Sequence, residues 1–526
     1  MRSQALAAAI AAAAFSSIVS ASNPYFVNSI AISGSATDLR NDVPPGANNN
    51  RLGGLFSDLY YDRVNDVYYG LPDRGAGGGV YDYDTRVQKF TLSVDPATGQ
   101  ISNFNLVDTI LFKTADLSSS FTGIKPPAPA GSLGLSLDPE GFAVGPNGRF
   151  YVADEYGPSV YEFEPVQDNG KTVARFVRAF EVPGNLLPRD NNGNVNYSAT
   201  RRVEQVPDQG SNLLDGIVRG RQDNRGYEGL TISPDGTKIY AILQDPLQEE
   251  GNPTFNGTTD LSLPGGDGRR SRNLRIVQYD IASGQSTGQF IYQLQPLSEI
   301  NTRTPTMPFG GTSQGRNIGV SGIAALEDGR FLVIERDNRG VGADDPLGKN
   351  PVAHKRLYFV SLAGATDVSL ISLAGGNDLI GQDPLNNDVT VIPASKTFFL
   401  DVKAALLNAG LPLTEKLEGI TFGPKLNDGN YLLLLGTDND YSVTQTGGNE
   451  QYDVYTSGTT VRYTPLDDTS RSYASISDPL NLVDLGPLPA GYALLPTYLY
   501  AFVLPEPGTL GLLALGVLPL LRRRRA

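Results

Sequence analysis

Cysteine is absent from the 526 residues and histidine occurs once. Without cysteine the chain has no disulfide and no thiol chemistry. The single histidine, His354, stands in "PVAHKRLYF", and no R-H-G motif occurs, which excludes phosphoryl transfer through a phosphohistidine assisted by a second histidine. Positive charge is also short: 42 Lys and Arg against 56 Asp and Glu leave a net charge of −14. That sign excludes a nucleic-acid backbone as partner, because phosphate binding needs clustered Lys and Arg. Long helical periodicity is nearly missing outside the two ends.

The composition holds 59 Gly, 36 Pro, 25 Tyr and 21 Phe, with short apolar runs between Gly, Asp, Asn and Pro clusters. That pattern favours many short strands joined by turns. Five stretches stack on one another: "FSDLYYDRVNDVYYGLPDRG", "PEGFAVGPNGRFYVADEYG", "YEGLTISPDGTKIYAILQD", "VSGIAALEDGRFLVIERDN" and "LEGITFGPKLNDGNYLLLLGTDND". Each is a small or acidic residue, an apolar strand, a turn and a second apolar strand, which is a hairpin. The leading residues Ser57, Glu140, Glu228, Ser321 and Glu418 are 83, 88, 93 and 97 positions apart. Most hairpins are followed by two more strand-like runs, such as "VQKFTLSVD" and "NLVDTILF", "RLYFVSL" and "DVSLISL".

Four strands per unit, repeated radially, predicts an all-β fold, a β-propeller of four-stranded blades. Five blades are counted, six if residues 470–503 form another. "YFVNSIAISG" near the start is a strand without a unit, and a terminal strand completing the last blade would close the ring and remove an exposed edge. A two-sheet sandwich is the competing fold. The polar segments 182–226, 246–272, 301–318 and 337–354 read as loops over one face, where binding sites usually sit.

In a hairpin the start of the first strand neighbours the end of the second. Glu140 is therefore expected beside Asp154 and Glu155, Glu228 beside Gln244 and Asp245, and Glu418 beside Asp438 and Asp440. Ser321 belongs with Glu335 and Arg336, and Ser57 with Asp73 and Arg74. On inner strands these clusters would ring one mouth of a central channel. So many carboxylates repel one another unless a cation intervenes, and Ca²⁺ accepts irregular oxygen sets from loops. The metal candidates are Glu140, Asp154, Glu155, Glu228, Asp245, Glu418, Asp438 and Asp440, with Ca²⁺ the expected ion. Arg74, Arg336 and Glu335 are the catalytic candidates, the two arginines as bidentate phosphate contacts. The alternative role for the glutamates is to accept backbone hydrogen bonds from the next blade and lock the ring.

The two ends read as export signals. Arg2, an Ala-rich apolar stretch and Val19-Ser20-Ala21 predict a signal peptide over residues 1–21. At the other end Pro505-Glu506-Pro507 precedes an apolar run over residues 508–521 and the arginines 522–525. That run is short of the roughly 20 residues of a membrane span. These 23 residues, 504–526, resemble the PEP-CTERM class of exported bacterial proteins. The resemblance implies processing by an exosortase-type enzyme, contact with the membrane only through this segment, and association with extracellular polysaccharide. The location implied is periplasmic, cell-surface or extracellular.

Between them, residues 22–503 form one domain. Its hairpins "DPEGFAVGPNGRFYVADEYGPSVYEF", "NRGYEGLTISPDGTKIYAILQDPL", "SGIAALEDGRFLVIERD" and "LEGITF" with "LLLLGTDND" resemble the phytase-like propeller family, described by esterase-like activity of phytase. The resemblance implies a propeller related in architecture to calcium-dependent phosphatases acting on inositol phosphates, and supplies no catalytic list. Three functions follow as expectations. One is a metal-dependent phosphoesterase, expected to act as a monomer on a phosphate ester. Another is a non-catalytic surface module binding polysaccharide. The third is a serine esterase using Ser313 of "GTSQG" with an acid and His354, although that motif lacks the strand-turn-helix elbow it needs.

Overall fold

The computed structural model describes residues 24–42, 50–126, 131–190, 192–197, 217, 219–222, 224–250, 268, 271–310, 317–373, 391–445 and 450–504. The expected signal peptide, the sorting signal and the stretch around Ser313 lie outside the described residues.

The strands in chain order are β1 (Tyr25–Ile32), β2 (Asp58–Asp62), β3 (Val67–Leu71), β4 (Arg86–Val94), β5 (Ile101–Lys113), β6 (Pro139–Val144), β7 (Phe150–Asp154), β8 (Ser159–Asp168) and β9 (Lys171–Ala179). They continue with β10 (Tyr227–Ile232), β11 (Lys238–Leu243), β12 (Asn273–Asp280), β13 (Ser286–Gln293), β14 (Ile318–Ala325), β15 (Phe331–Asp337), β16 (Lys355–Ser361), β17 (Ser395–Asp401), β18 (Lys416–Lys425) and β19 (Tyr431–Asp438). The last are β20 (Val443–Gln445), β21 (Gln451–Ser457), β22 (Thr460–Pro465), β23 (Ala493–Leu494) and β24 (Thr497–Leu504).

They make five antiparallel blades: β2-β3-β4-β5, β6-β7-β8-β9, β10-β11-β12-β13, β14-β15-β16-β17 and β18-β19-β24-β1. The first two join edge to edge through a short parallel pairing of β5 with β9. The five stacked hairpins are the inner pairs of the blades. Their turns carry the expected chemistry: in the second blade Gly148 takes φ 77° while Asn147 Oδ1 accepts from the Arg149 N–H.

Five apolar cores hold the ring, one between each pair of neighbouring blades. Phe142, Phe150 and Val152 pack on Tyr69, Leu71 and Val87 between the second and first blades. Leu417, Ile420 and Leu433 pack on Ile334 and Leu357 between the fifth and fourth. Both faces of a blade are thus buried, which is why a strand such as β19 reads as an unbroken apolar run. The chain is a five-bladed β-propeller.

The fifth blade is closed by both ends of the described chain, with β24 as third strand and β1 as the outermost. No sixth blade forms among the described residues. Of residues 470–503, the stretch from Thr497 enters the fifth blade, while "TTVRYTPL" builds β22 of a small extra sheet with β20, β21 and β23. A second expectation also changes. "DVSLISL" is not the outer strand of the fourth blade; that strand is β17. The Val368 N–H instead donates to Gln289 O, and Val368 and Leu373 pack on Ile291 of the third blade.

Around the axis the blades are locked by buried side chains next to the expected ring residues. Asp58, 2 % exposed, accepts from the Phe142 N–H of the second blade at 2.7 Å and from the Leu59 N–H at 2.7 Å, and Ile420 of the fifth blade also donates to it. Thr421 Oγ1 accepts from Tyr61 N–H, and Thr231 Oγ1 from Ala325 N–H. Truncating Asp58 would leave buried donors unpaired. Asp58→Ala is expected to lower unfolding stability by roughly 2–4 kcal/mol in urea denaturation; a loss within about 0.5 kcal/mol would show that the carboxylate is not a lock.

Candidate functional site

The register explains the repeated Glu-Gly. In β6 the pairing with β7 slips between Pro139 and Gly141, in β10 between Tyr227 and Gly229, in β14 between Val320 and Gly322, and in β18 between Leu417 and Gly419. Glu140, Glu228, Ser321 and Glu418 are therefore bulge residues, released from strict alternation. All four line a cavity of about 320 Å³ at one mouth of the channel. The glycine that follows sits where neighbouring blades touch: a Cβ on Gly141 would lie 2.6 Å from Leu230 N, and one on Gly322 2.5 Å from Glu418 O.

Asp73, Arg74, Glu155, Asn224, Arg225, Gln244, Asp245, Asn317, Asn338, Glu415 and Lys416 complete the wall, together with Arg336. The expected neighbours Glu155, Gln244, Asp245 and Arg336 are thus in the mouth. Asp438 and Asp440 sit beside it, their carboxylates within 4.8 Å of that of Asp73. Two expected residues are placed elsewhere. Asp154 turns into its own loop, where its carboxylate accepts from the N–H groups of Asp138, Tyr156 and Gly157. Glu335, wholly buried, turns to the far face of its strand, where it binds Tyr292, His354 at 2.8 Å and Lys396 at 2.5 Å. Neighbouring residues at a strand end face opposite ways, so Arg336 reaches the mouth and Glu335 does not.

That buried cluster also fixes the histidine. His354 Nδ1 faces the Arg303 guanidinium at 2.8 Å, so it accepts, and Nε2–H donates to Glu335. Burial holds the imidazole below its ordinary pKa. Burial works against the Glu335 charge, but Lys396 and His354 pull its carboxyl down to about 2.

Among the described residues four cations line the mouth, and each is already paired. Arg74 binds Asp138 at 2.6 Å and also Asn224. Arg225 lies 3.1 Å from Asp245 and 3.6 Å from Glu155. Arg336 binds Glu418 at 2.5 Å and the Ser321 hydroxyl at 2.6 Å. Lys416 binds Asp438 at 2.9 Å and Asp440 at 2.6 Å. Carboxylates remain in excess. Glu140 is the extreme case, 8 % exposed: among the described residues its carboxylate has no hydrogen bond or ion pair, and Asp138, Glu228, Glu418 and Asp73 are the neighbouring charges that act on it most strongly. Burial and those anions push its carboxyl well above the usual range. Burial, followed by Asp438, does the same to Asp73, and burial, followed by Glu228 and Asp138, to Glu155. The carboxylate oxygens of Asp73, Asp138 and Glu140 lie within 4.8 Å of one another, close enough to ligate one hard cation.

Asp138, Arg225, Glu415 and Lys416 escaped the sequence reading. Asp138 and Lys416 had a usable signal, since each is a charged residue standing two positions before a ring glutamate. Arg225 and Glu415 lie just outside their strands and carried none.

The family model for phytase-like proteins, described as esterase-like activity of phytase, matches residues 50–441. Over 435 residues the chain is 28 % identical to an uncharacterized secreted protein of Arthroderma benhamiae, covering 72 % of this chain and 79 % of that one. Among solved structures it is similar to the periplasmic gluconolactonase PpgL of Pseudomonas aeruginosa, at 13 % identity over 85 % of this chain and 88 % of that one, TM-score 0.28. It is also similar to virginiamycin B lyase of Staphylococcus aureus, at 10 % identity over 91 % and 100 %, TM-score 0.27. Those structural likenesses are weak, and the ring topology itself carries the fold.

Carboxyls raised by burial make the folded chain bind protons that the unfolded chain releases. That stabilisation is complete below the ordinary carboxylate range. It is lost as pH rises through about 6 for Asp438 and about 7 for Asp154 and Glu415. In metal-free buffer the melting temperature is therefore expected to fall between roughly pH 5 and 8. At the upper end of that range Glu140→Gln, which removes one repelling carboxyl, is expected to hold it or raise it by about 2–4 °C. A marked fall in that variant would instead make Glu140 a blade lock.

Proposed function

The chain belongs to the phytase-like family, and on that premise we propose that it is an exported propeller whose channel mouth binds a divalent cation, Ca²⁺ by preference, and uses it to hydrolyse a phosphoric ester. The observation that carries this reading is Glu140, a buried carboxylate on the cavity wall that forms no ion pair among the described residues. Asp73, Asp138 and Glu140 would hold the ion. Their all-oxygen donor set suits calcium or magnesium rather than a softer metal. A divalent ion held there would supply Lewis acidity toward a phosphoryl oxygen and a bound water of lowered pKa.

The chain's own groups do the rest. Arg225 and Arg336 reach the cavity from the third and fourth blades. Each is oriented by a carboxylate, and they stand where guanidinium donors can meet ester oxygens. The Glu415 carboxyl on the same wall, raised by burial to about 7, retains a proton near neutrality for a leaving oxygen. His354 has both ring nitrogens engaged and no exposed surface, which speaks against the serine-esterase reading. One observation favours a second reading, a cation-dependent binding module: every cation of the mouth is already paired, leaving no free charge for a substrate anion.

Export is supported by the relative named as secreted. The PEP-CTERM resemblance adds sorting to the cell surface, exosortase processing and a polysaccharide setting.

The test is hydrolysis of p-nitrophenyl phosphate, phytate and a short acyl ester with EDTA or with added Ca²⁺. Phosphoester turnover is expected with calcium only, reduced roughly 10- to 100-fold by Glu140→Gln. Calcium binding without turnover would establish the binding module. Acyl-ester hydrolysis that survives EDTA, with no phosphoester activity, would overturn the metal reading.

A further inference from the structure

Asp73 belongs to two carboxylate trios. With Asp138 and Glu140 it forms the trio proposed above to hold the ion, and with Asp438 and Asp440 it forms another of the same spread. The second trio already contains a cation. Lys416 Nζ lies 2.9 Å from Asp438 Oδ2 and 2.6 Å from Asp440 Oδ1, both within charge-assisted hydrogen-bond range. In the first trio Arg74 reaches Asp138, but nothing cationic reaches Glu140.

We propose that Lys416 stands in for a second divalent ion, occupying the Asp438–Asp440 side of the Asp73–Asp438–Asp440 trio and so fixing the number of bound divalent ions at one. The inference rests on the cation site proposed above.

Local structure shows how firmly the ammonium is seated. Lys416 on β18 pairs across the ladder with Asp438 on β19, which places the two side chains on one face. Asp440 opens a run of three left-handed residues, Asp440, Tyr441 and Ser442, with φ of 48°, 55° and 57°. Such a run persists only where the surroundings enforce it. Here Asn439 Oδ1 accepts from the N–H groups of Gly54 and Tyr441, the Ser442 hydroxyl donates to Leu495 O, and Arg51 donates to Tyr441 O. The Tyr441 ring also lies so close that a Cβ on Gly53 would approach it to 2.5 Å. The turn therefore delivers the half-buried Asp440 carboxylate to Lys416.

Chemically the substitution of an ammonium for a metal ion matters. A two-metal centre clamps attacking and leaving oxygens between ions about 3.5–4 Å apart. An ammonium neutralises one charge and donates hydrogen bonds, but offers no coordination position for a water or a substrate oxygen. Lys416, which lines the cavity, would thus face a bound anion as a fixed charge beside a single metal.

Calcium titration of the full chain by calorimetry, with CaCl₂ as the only ligand, tests this. Wild type is expected to bind one ion, Lys416→Met two, and the Lys416→Met/Asp440→Asn double variant one again. Glu140→Gln should weaken the wild-type ion at least roughly 10-fold. One ion in both wild type and Lys416→Met, or two in wild type, overturns the role of Lys416 and leaves the cation site standing. No ion in wild type overturns the site itself. If Lys416→Met is too unstable to titrate, its melting temperature is read with and without roughly 10 mM calcium. A rise exceeding that of wild type is the expected result, and an equal or smaller rise overturns the proposal.

Discussion

Five strands meeting around one axis leave so little room that the residue facing the next blade is glycine in four of the five, and at two of them no side chain fits. The closest approaches, Gly141 to Leu230 N and Gly322 to Glu418 O, admit no side chain. The same four strands bulge at the residue before that glycine, and the bulge turns Glu140, Glu228, Ser321 and Glu418 into the mouth. One dipeptide thus meets two demands. Its second residue lets the ring close, and its first sends a polar group to a place that closure makes crowded.

Crowding then decides the electrostatics. A carboxylate on the axis cannot move away from its counterparts, because each is fixed to a strand packed on both faces. It can only be protonated, paired or metallated. The fourth blade uses pairing: serine replaces glutamate at the ring position, and Arg336 reaches across to Glu418. The fifth blade uses Lys416. The second blade has Arg74 on Asp138 but nothing for Glu140, so the unresolved charge collects on one side of the mouth. The first blade keeps Asp58 away from the cavity as a hydrogen-bonded lock.

Legibility in the sequence followed locality. The inner hairpins were readable because turn chemistry and apolar alternation act over a few residues, and chain reversal then brought the start of each first strand beside the end of the second, Pro139 opposite Asp154 and Lys416 opposite Asp438. Pairings between distant segments were not readable. β24 joins β19 from some sixty residues away, and β17 follows a long intervening stretch, so the nearer "DVSLISL" looked the better strand. Side-chain direction at strand ends failed for a different reason. Glu335 and Arg336, like Asp154 and Glu155, are neighbours with opposite faces, and a pattern that names both cannot say which one turns inward.

Two kinds of buried charge divide the molecule, and the contrast between them is the ground for proposing a function at the mouth. Structural groups here have partners: Glu335 has Tyr292, His354 and Lys396, and the Asp58 carboxyl, although raised by burial, has backbone donors from its own and neighbouring blades. Removing such a group costs stability. Glu140 has no such partners, and its burial among anions costs stability as long as it stays ionised. A chain without disulfides, held by five interface cores and side-chain locks near the axis, tolerates that cost but gains nothing from it structurally. Among the described residues Glu140 is a buried carboxyl to which the fold gives no counter-charge, and a bound cation would relieve that mismatch.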